Sequence, residues 1–360
     1  MPILSMRVVG CAFSLWSTAH ALQVGVNLGG WLVMEPTMFD QPILSTSNAE
    51  IDVVTTLRVQ ASDQVAIQTM KNHWSRFLTA EMISTLASSG ISHVRIPVGY
   101  WMFDAPIGGK SMYEYGFQQE GFATGAINAL ENILTVLDDH NIKVLIDNHA
   151  LPGCSARCQG FAGLYCAEPA FFFGRPNETI KGCNGGPTYT SVRDGTETWF
   201  DLGTEYLQRI AAWLSGNALA RKLVVAVTIM NEPGIGEVFT DVISWFYEAN
   251  AWVLPHNISV AANFVGSSFS ETTGAAFVRH SIRKGALPTT TMVDYHHYYN
   301  WNGVNTPEQY KAMVCNSTES WWSYRTYAQL PTVIGEWSLA VNYNENLRNL
   351  TIPEDVAFMK

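Results

Sequence analysis

Two apolar, β-branched runs in this chain end on a glutamate. LVVAVTIMNEPG (223–234) finishes on Asn231 and Glu232 before a Pro-Gly turn, and PTVIGEWS (331–338) carries Glu336 near its end. Comparable runs end on polar groups too. Glu35 follows VGVNLGGW (24–31), Arg95 lies in HVRIPVGYW (93–101), His149 closes KVLIDNH (143–149), and His296 and Tyr298 fall late in TMVDYHHYY (291–299). Each residue alone is explained as a cap or a hydrogen-bonded core group, but core packing gives no reason for polar groups at the ends of so many runs. Chemistry gives one. Two carboxyls about 5–5.5 Å apart cleave a glycosidic bond in two steps, one as nucleophile and the other as acid and then base. Arg95 and the Tyr298 hydroxyl beside Glu336 would hold it ionised for attack. A drier setting and the repulsion of a second carboxylate would hold Glu232 protonated at the start. Asn231 suits a sugar 2-hydroxyl, a contact that strengthens in the transition state.

These side chains meet only if their runs lie side by side. The runs above, with ISVAANF (258–264), alternate with TAEMISTLASSG (79–90), AINALENILTVLDDHN (126–141), TEYLQRIAAWLSGN (204–217) and VFTDVISWFYEANAW (238–252). In those segments apolar residues recur at three and four positions, the helical period. Strand-helix alternation of this kind predicts an α/β fold with a parallel sheet covered on both faces. GVNLGGW lacks the G-x-G-x-x-G spacing of a dinucleotide site, so a closed (β/α)8 TIM barrel is preferred to a doubly wound sheet. In such a barrel the carboxyl ends of the strands converge on one pocket. With no internal repeat and no low-complexity linker, residues 22–360 are expected to form a single domain. No apolar eighth run follows Glu336, and a gap in a barrel would expose unpaired edges. The eighth strand is therefore expected to be missing from this chain, which reads as cut short at its C-terminus.

Residues 1–21 read as an export signal: a weakly basic MPILSMR, the short apolar VVGCAFSLW, and a small-x-small AHA site at 19–21. That stretch is too short to span a bilayer, and no other reaches about 18 uninterrupted apolar residues, so no membrane anchor is expected. Sequons at Asn177, Asn257, Asn316 and Asn349 agree with a secreted, extracellular or cell-wall protein. The net charge of −10 without a lysine or arginine run argues against nucleic acid and anionic membrane as partners. The 12 tryptophans mostly belong to a core, though their planes also suit sugar C–H faces. Cys11 leaves with the signal. Cys154, Cys158, Cys166 and Cys183 are expected to form two local disulfides, with three connectivities open. Their spacing, with no histidine pair nearby, fits zinc poorly. Cys315 is left over, its partner expected in an absent tail.

The chain resembles glycoside hydrolase family 5, and within it the fungal-type exo-β-1,3-glucanases. The resemblance runs through GVNLGGWLVMEP, HWSRFLTAEM, HVRIPVGYW, IMNEP, DYHHYY and GEWS in the family's order and covers nearly all of the chain beyond residue 21. It implies a (β/α)8 barrel, retention of anomeric configuration, no metal or organic cofactor, and a β-glucan substrate. By motif, Glu232 falls on the acid/base and Glu336 on the nucleophile. Arg95, His149, Asn231, His296 and Tyr298 fall on the other active-site positions, and Glu35 on a residue that binds the terminal glucose in exo-acting members. Two departures stand out. DNHALPGCSARCQGFAGLYC replaces a shorter HGAPGS-type loop that has no cysteines, and nothing matches the tryptophan that floors the glucose subsite on the eighth strand.

The expected activity is that of a glucan 1,3-β-glucosidase releasing glucose by double displacement, from a chain acting as a monomer. The alternatives are β-1,6-glucan, a β-glucosidase substrate or β-mannan, or a non-catalytic glucan-binding paralogue with an incomplete barrel. His73 and His93 read as packing or capping groups, and His297, alternating with His296, as pointing into the surrounding layer. Glu237 reads as a helix-start carboxylate. Tyr299 and Trp301 suit the sugar path and the core equally.

Overall fold

The computed structural model describes residues 23–38, 47–104, 114–115, 118–119, 121–168, 171, 174, 179–186, 188–190, 197–233, 239–263, 278–285, 287, 289–298, 306, 309, 312 and 330–337. Its frame is one sheet of seven strands: β1 (Gly25–Asn27), β2 (His93–Gly99), β3 (Lys143–Ala150), β4 (Val224–Thr228), β5 (Ser259–Asn263), β6 (Met292–His297) and β7 (Thr332–Trp337). They stand in chain order, every neighbour parallel, with Gly25 opposite His93 and His93 opposite Lys143. Each predicted apolar run supplies one of them.

The sheet curls into a barrel. In a flat sheet β2 and β7, five steps apart, would be separated by about 24 Å. Instead the Arg95 side chain on β2 touches Glu336 on β7 at 2.8 Å. The fold is thus the predicted α/β barrel, nearly closed, with β1 and β7 at its two edges. Among the described residues no strand seals that seam, and residues 338–360 lie outside them. Ile334 and Trp337 on β7 are exposed there.

Helices cover the outside: α1 (Glu50–Gln60), α2 (Asp63–Phe77), α3 (Ala80–Ser88), α4 (Ala126–Asp139), α5 (Trp199–Gly216), α6 (Ala218–Leu223) and α7 (Phe239–Val253). Their starts follow ordinary cap chemistry. The Thr79 and Ser62 side chains accept from Met82 N and Val65 N, and Thr198 and Asp201 form a capping box. On α4, Leu130, Leu134 and Leu137 turn inward, and on α5 Tyr206, Leu207, Ile210 and Leu214 do the same, onto strand residues such as Val144 and Ile146. Helices α1, α2 and α6 were not anticipated.

The loop after β3 is stapled by Cys154–Cys166 and Cys158–Cys183, which selects one of the three connectivities. It joins a small antiparallel sheet of two-residue strands ordered Gln118–Gln119, Glu114–Tyr115, Tyr189–Thr190, Thr179–Ile180. No helix among the described residues is long and apolar enough to cross a membrane. Residues 1–21, Cys315 and the sequons at Asn177, Asn316 and Asn349 lie outside the described residues, while Asn257 is exposed at the end of a 3-10 turn.

Candidate active site

Arg95 organises the mouth of the barrel. It is buried on β2, and its guanidinium donates through Nη1 to Glu336 Oε1 at 2.8 Å and through Nη2 to Asn231 Oδ1 at 2.8 Å. Nη2 also lies 3.1 Å from Asp147 Oδ2 and 3.8 Å from Asp294 Oδ2. Burial alone would pull the guanidinium pKa down, but Asp147, Asp294 and Glu336 more than reverse this, so the cation is fixed.

Glu336, next to the last residue of β7, sits between two donors, Arg95 on Oε1 and the Tyr298 hydroxyl on Oε2 at 2.7 Å. Burial pushes its carboxyl up, yet His296, Arg95, His149 and the Tyr298 hydrogen bond outweigh burial and bring it to about 2. The Tyr298 hydroxyl moves the other way, raised by its own burial and by the charge of Glu336, and stays a donor.

Glu232 lies past the end of β4, where Asn231 N donates to the Asn148 carbonyl of β3 at 3.1 Å. Its backbone φ is +39°, in the left-handed region, which costs a non-glycine residue roughly 1–3 kcal/mol. Glu232 Oε1 accepts from His296 Nδ1 at 2.7 Å, and the same nitrogen lies 3.5 Å from Glu336 Oε2. One oxygen of Glu232 lies within 4.8 Å of one oxygen of Glu336. The two carboxyls therefore lie side by side at the carboxyl end of the barrel, and the turn at Asn231-Glu232-Pro233 is what brings Glu232 there.

A second cluster sits beside the first. His149 Nδ1 donates to Asp147 Oδ2 at 2.5 Å, which turns Nε2 toward Glu35 Oε1 at 3.7 Å. Burial lowers the His149 pKa, but Asp147, Glu35 and Glu336 raise it further than burial lowers it. Burial raises Glu35, and the neighbouring carboxylates add to this against the pull of His149.

Glu35, Arg95, His149, Asn231, Glu232, His296, Tyr298 and Glu336 are thus brought to one end of the barrel. Two participants were not foreseen. Asp147 and Asp294 are wholly buried, each two residues before a histidine of the site. Residues two apart on a strand share a face, so a D-x-H pattern on two strands was the available signal. Asp294 accepts from Thr228 Oγ1 at 2.7 Å, and its carboxylate fills the space a Cβ on Gly335 would need. Glycine before Glu336 is therefore a packing requirement. His73 bonds the Gly30 and Trp31 carbonyls and His93 meets Ser92 Oγ, as capping groups do. Glu237, Tyr299, Trp301 and the side chain of His297 lie outside the described residues.

Ligand atoms of Glu232, His296 and Glu336, and of Asp147, His149 and Glu336, lie close enough to hold a metal ion. A cation there would meet the Arg95 guanidinium, already bonded to Glu336 and beside Asp147. The donor set fits a fixed positive charge better than a metal.

Residues 59–357 match the family model for Cellulase (glycosyl hydrolase family 5). The chain belongs to glycosyl hydrolase family 5. It is similar to the probable glucan 1,3-beta-glucosidase A of Emericella nidulans, 25% identical over 319 residues that make up 88% of this chain and 67% of the relative. It is also similar to the glucan endo-1,6-beta-glucosidase B of the same organism, 24% identical over 351 residues, 94% of this chain and 74% of that one. Among solved structures, a rutinosidase from Aspergillus niger superposes with a TM-score of 0.56 at 19% identity, over 89% of this chain and 80% of that chain. That likeness concerns the fold. The family assignment makes the chain a glycoside hydrolase of the barrel type.

Proposed function

We propose that this glycoside hydrolase is an exported, monomeric enzyme that releases glucose from β-1,3-glucan with retention of configuration, and that residues 22–360 form its single catalytic domain. One observation carries the reading: Glu336 is held ionised between Arg95 and Tyr298, with Glu232 within 4.8 Å of it. That spacing supports the short separation used for covalent glycosyl transfer better than the wider one that leaves room for a water.

In this reading a Glu336 oxygen attacks the anomeric carbon while the bond from that carbon to the leaving oxygen breaks. Glu232 gives its proton to the departing oxygen, leaving a glycosyl ester on Glu336. Glu232, now a carboxylate, takes a proton from water, whose oxygen adds to the anomeric carbon and frees Glu336. His296 Nδ1 occupies Glu232 Oε1 and leaves Oε2 to carry the proton. Asn231 Oδ1 is bound to Arg95, so its buried Nδ2, without a partner among the described residues, is the donor left for a sugar 2-hydroxyl. Glu35, beside His149, would hold the terminal sugar. The relative named as a glucan 1,3-beta-glucosidase supports the linkage, and the two disulfides agree with export.

Proton NMR of the first sugar released from laminarin tests this. The reading expects β-glucose before mutarotation, and a kcat lower by about 10³-fold or more in Glu336→Gln and Glu232→Gln. First-formed α-glucose contradicts it. A second reading, β-1,6-glucan as substrate, is favoured by the endo-1,6 relative, which aligns with a larger share of both chains. Faster cleavage of pustulan than of laminarin would establish it instead.

A further inference from the structure

One wholly buried carboxyl outside the pocket takes no part in the chemistry above. Glu50 is the first residue of α1 and has no exposed surface. Its Oε2 accepts from the Met34 backbone N–H at 2.7 Å, and its Oε1 accepts from the Trp101 indole N–H at 2.8 Å. The two donors belong to different parts of the barrel mouth. Met34 immediately precedes Glu35 in the loop after β1, and Trp101 follows β2, the strand that carries Arg95. Trp101 is itself fixed, stacked on Phe122 with centroids 3.8 Å apart and planes 8° from parallel.

A buried carboxyl is costly to desolvate, and an apolar residue of similar volume serves stability as well or better. Burial pushes this one up to about 8 against the pull of both N–H groups. What an apolar residue could not do is accept a backbone N–H from one loop and an indole N–H from another.

We propose that Glu50 is a positioning residue: it ties the loop after β1 to the segment after β2 and so holds Glu35 in reach of a sugar bound beside His149. This rests on the reading of Glu35 as a sugar contact. It acts through Glu35, not on the reacting atoms, so its loss should appear in KM more than in kcat.

A double-mutant cycle on p-nitrophenyl β-glucoside tests it; that substrate has no sugar–sugar linkage, so the result does not depend on whether a 1,3 or a 1,6 bond is the natural one. A wild type that fails to turn it over overturns the proposal together with the sugar-contact reading of Glu35. Glu35→Gln is expected to raise KM, and Glu50→Gln to raise it by about tenfold with kcat much less affected. The double variant is expected to be no worse than Glu35→Gln alone, because both remove the same contact. Additive losses, or a Glu50→Gln enzyme with a lower Tm and an unchanged KM, overturn the proposal. A Glu35→Gln enzyme with wild-type KM overturns it together with the sugar-contact reading of Glu35. Should Glu50→Gln fail to fold, Trp101→Phe removes one donor to Glu50; it is expected to raise KM by a smaller factor that also vanishes on Glu35→Gln. An unchanged KM in Trp101→Phe overturns the proposal.

Discussion

Arg95 and Tyr298 set what Glu336 can do. Each holds one oxygen of the carboxylate, and the carboxyl stays ionised down to about pH 2 although it is buried. Its folded pKa lies below the ordinary 4.5, so the stability it contributes is present above pH 4.5 and is lost as pH falls through about 2. Tyr298→Phe removes a donor that favours the charged form and so raises that pKa. The acid limb of the kcat/KM profile should move to higher pH, with kcat/KM falling by about 10²-fold at its optimum. An acid limb that stays in place contradicts this. The main residues of this scale were legible as polar ends on apolar runs, Arg95 and Glu336 most of all. Asp147 and Asp294 carried only the weaker D-x-H signal, because an aspartate inside a strand shows its role fully only when a buried cation is known to sit opposite.

At the scale of elements, a strand end is shaped to aim a side chain at a backbone cost. Glu232 holds φ +39° in a turn anchored to Asn148. Glycine adopts this conformation freely and alanine does not. Glu232→Gly should therefore be more stable than Glu232→Ala by about 1 kcal/mol in chemical denaturation; equal stabilities would place the strain elsewhere. The seven strands were legible because each is a continuous apolar run bounded by turns. Helix α1 was missed for a physical reason. Its residues IDVVTT are β-branched or acidic, and Glu50, Ile51, Asp52, Val53, Val54, Thr55 and Arg58 are all buried, so no helical period remains. The tie that α1 makes between two loops at the mouth of the barrel was hidden with it.

The whole molecule is a barrel whose interior collects charge at one end and which buries a further carboxyl behind it. Glu50 has a folded pKa raised from 4.5 to about 8, so its contribution to stability is intact below pH 4.5 and is lost as pH rises through about 8. The wild type should lose a few kcal/mol at most over that window, and Glu50→Gln should flatten the slope of unfolding free energy against pH. A slope identical in both proteins would mean that Glu50 does not titrate there. The architecture was legible from the alternation of elements. Linkage preference was not, because the motifs that carry the bond-breaking chemistry place the carboxyls and their partners and say nothing of the sugar positions beyond them.

The central claim is that Glu336 bonds to the sugar while Glu232 serves as acid and base. Incubation with 2,4-dinitrophenyl 2-deoxy-2-fluoro-β-glucoside, which slows the second step more than the first, followed by peptide mass spectrometry, reads this directly. The account predicts one fluoroglucosyl group per chain, on the peptide that carries Glu336, and none in Glu336→Gln. A label on Glu232 or on any other residue would contradict it, as would turnover of the unmodified substrate with no trapped intermediate.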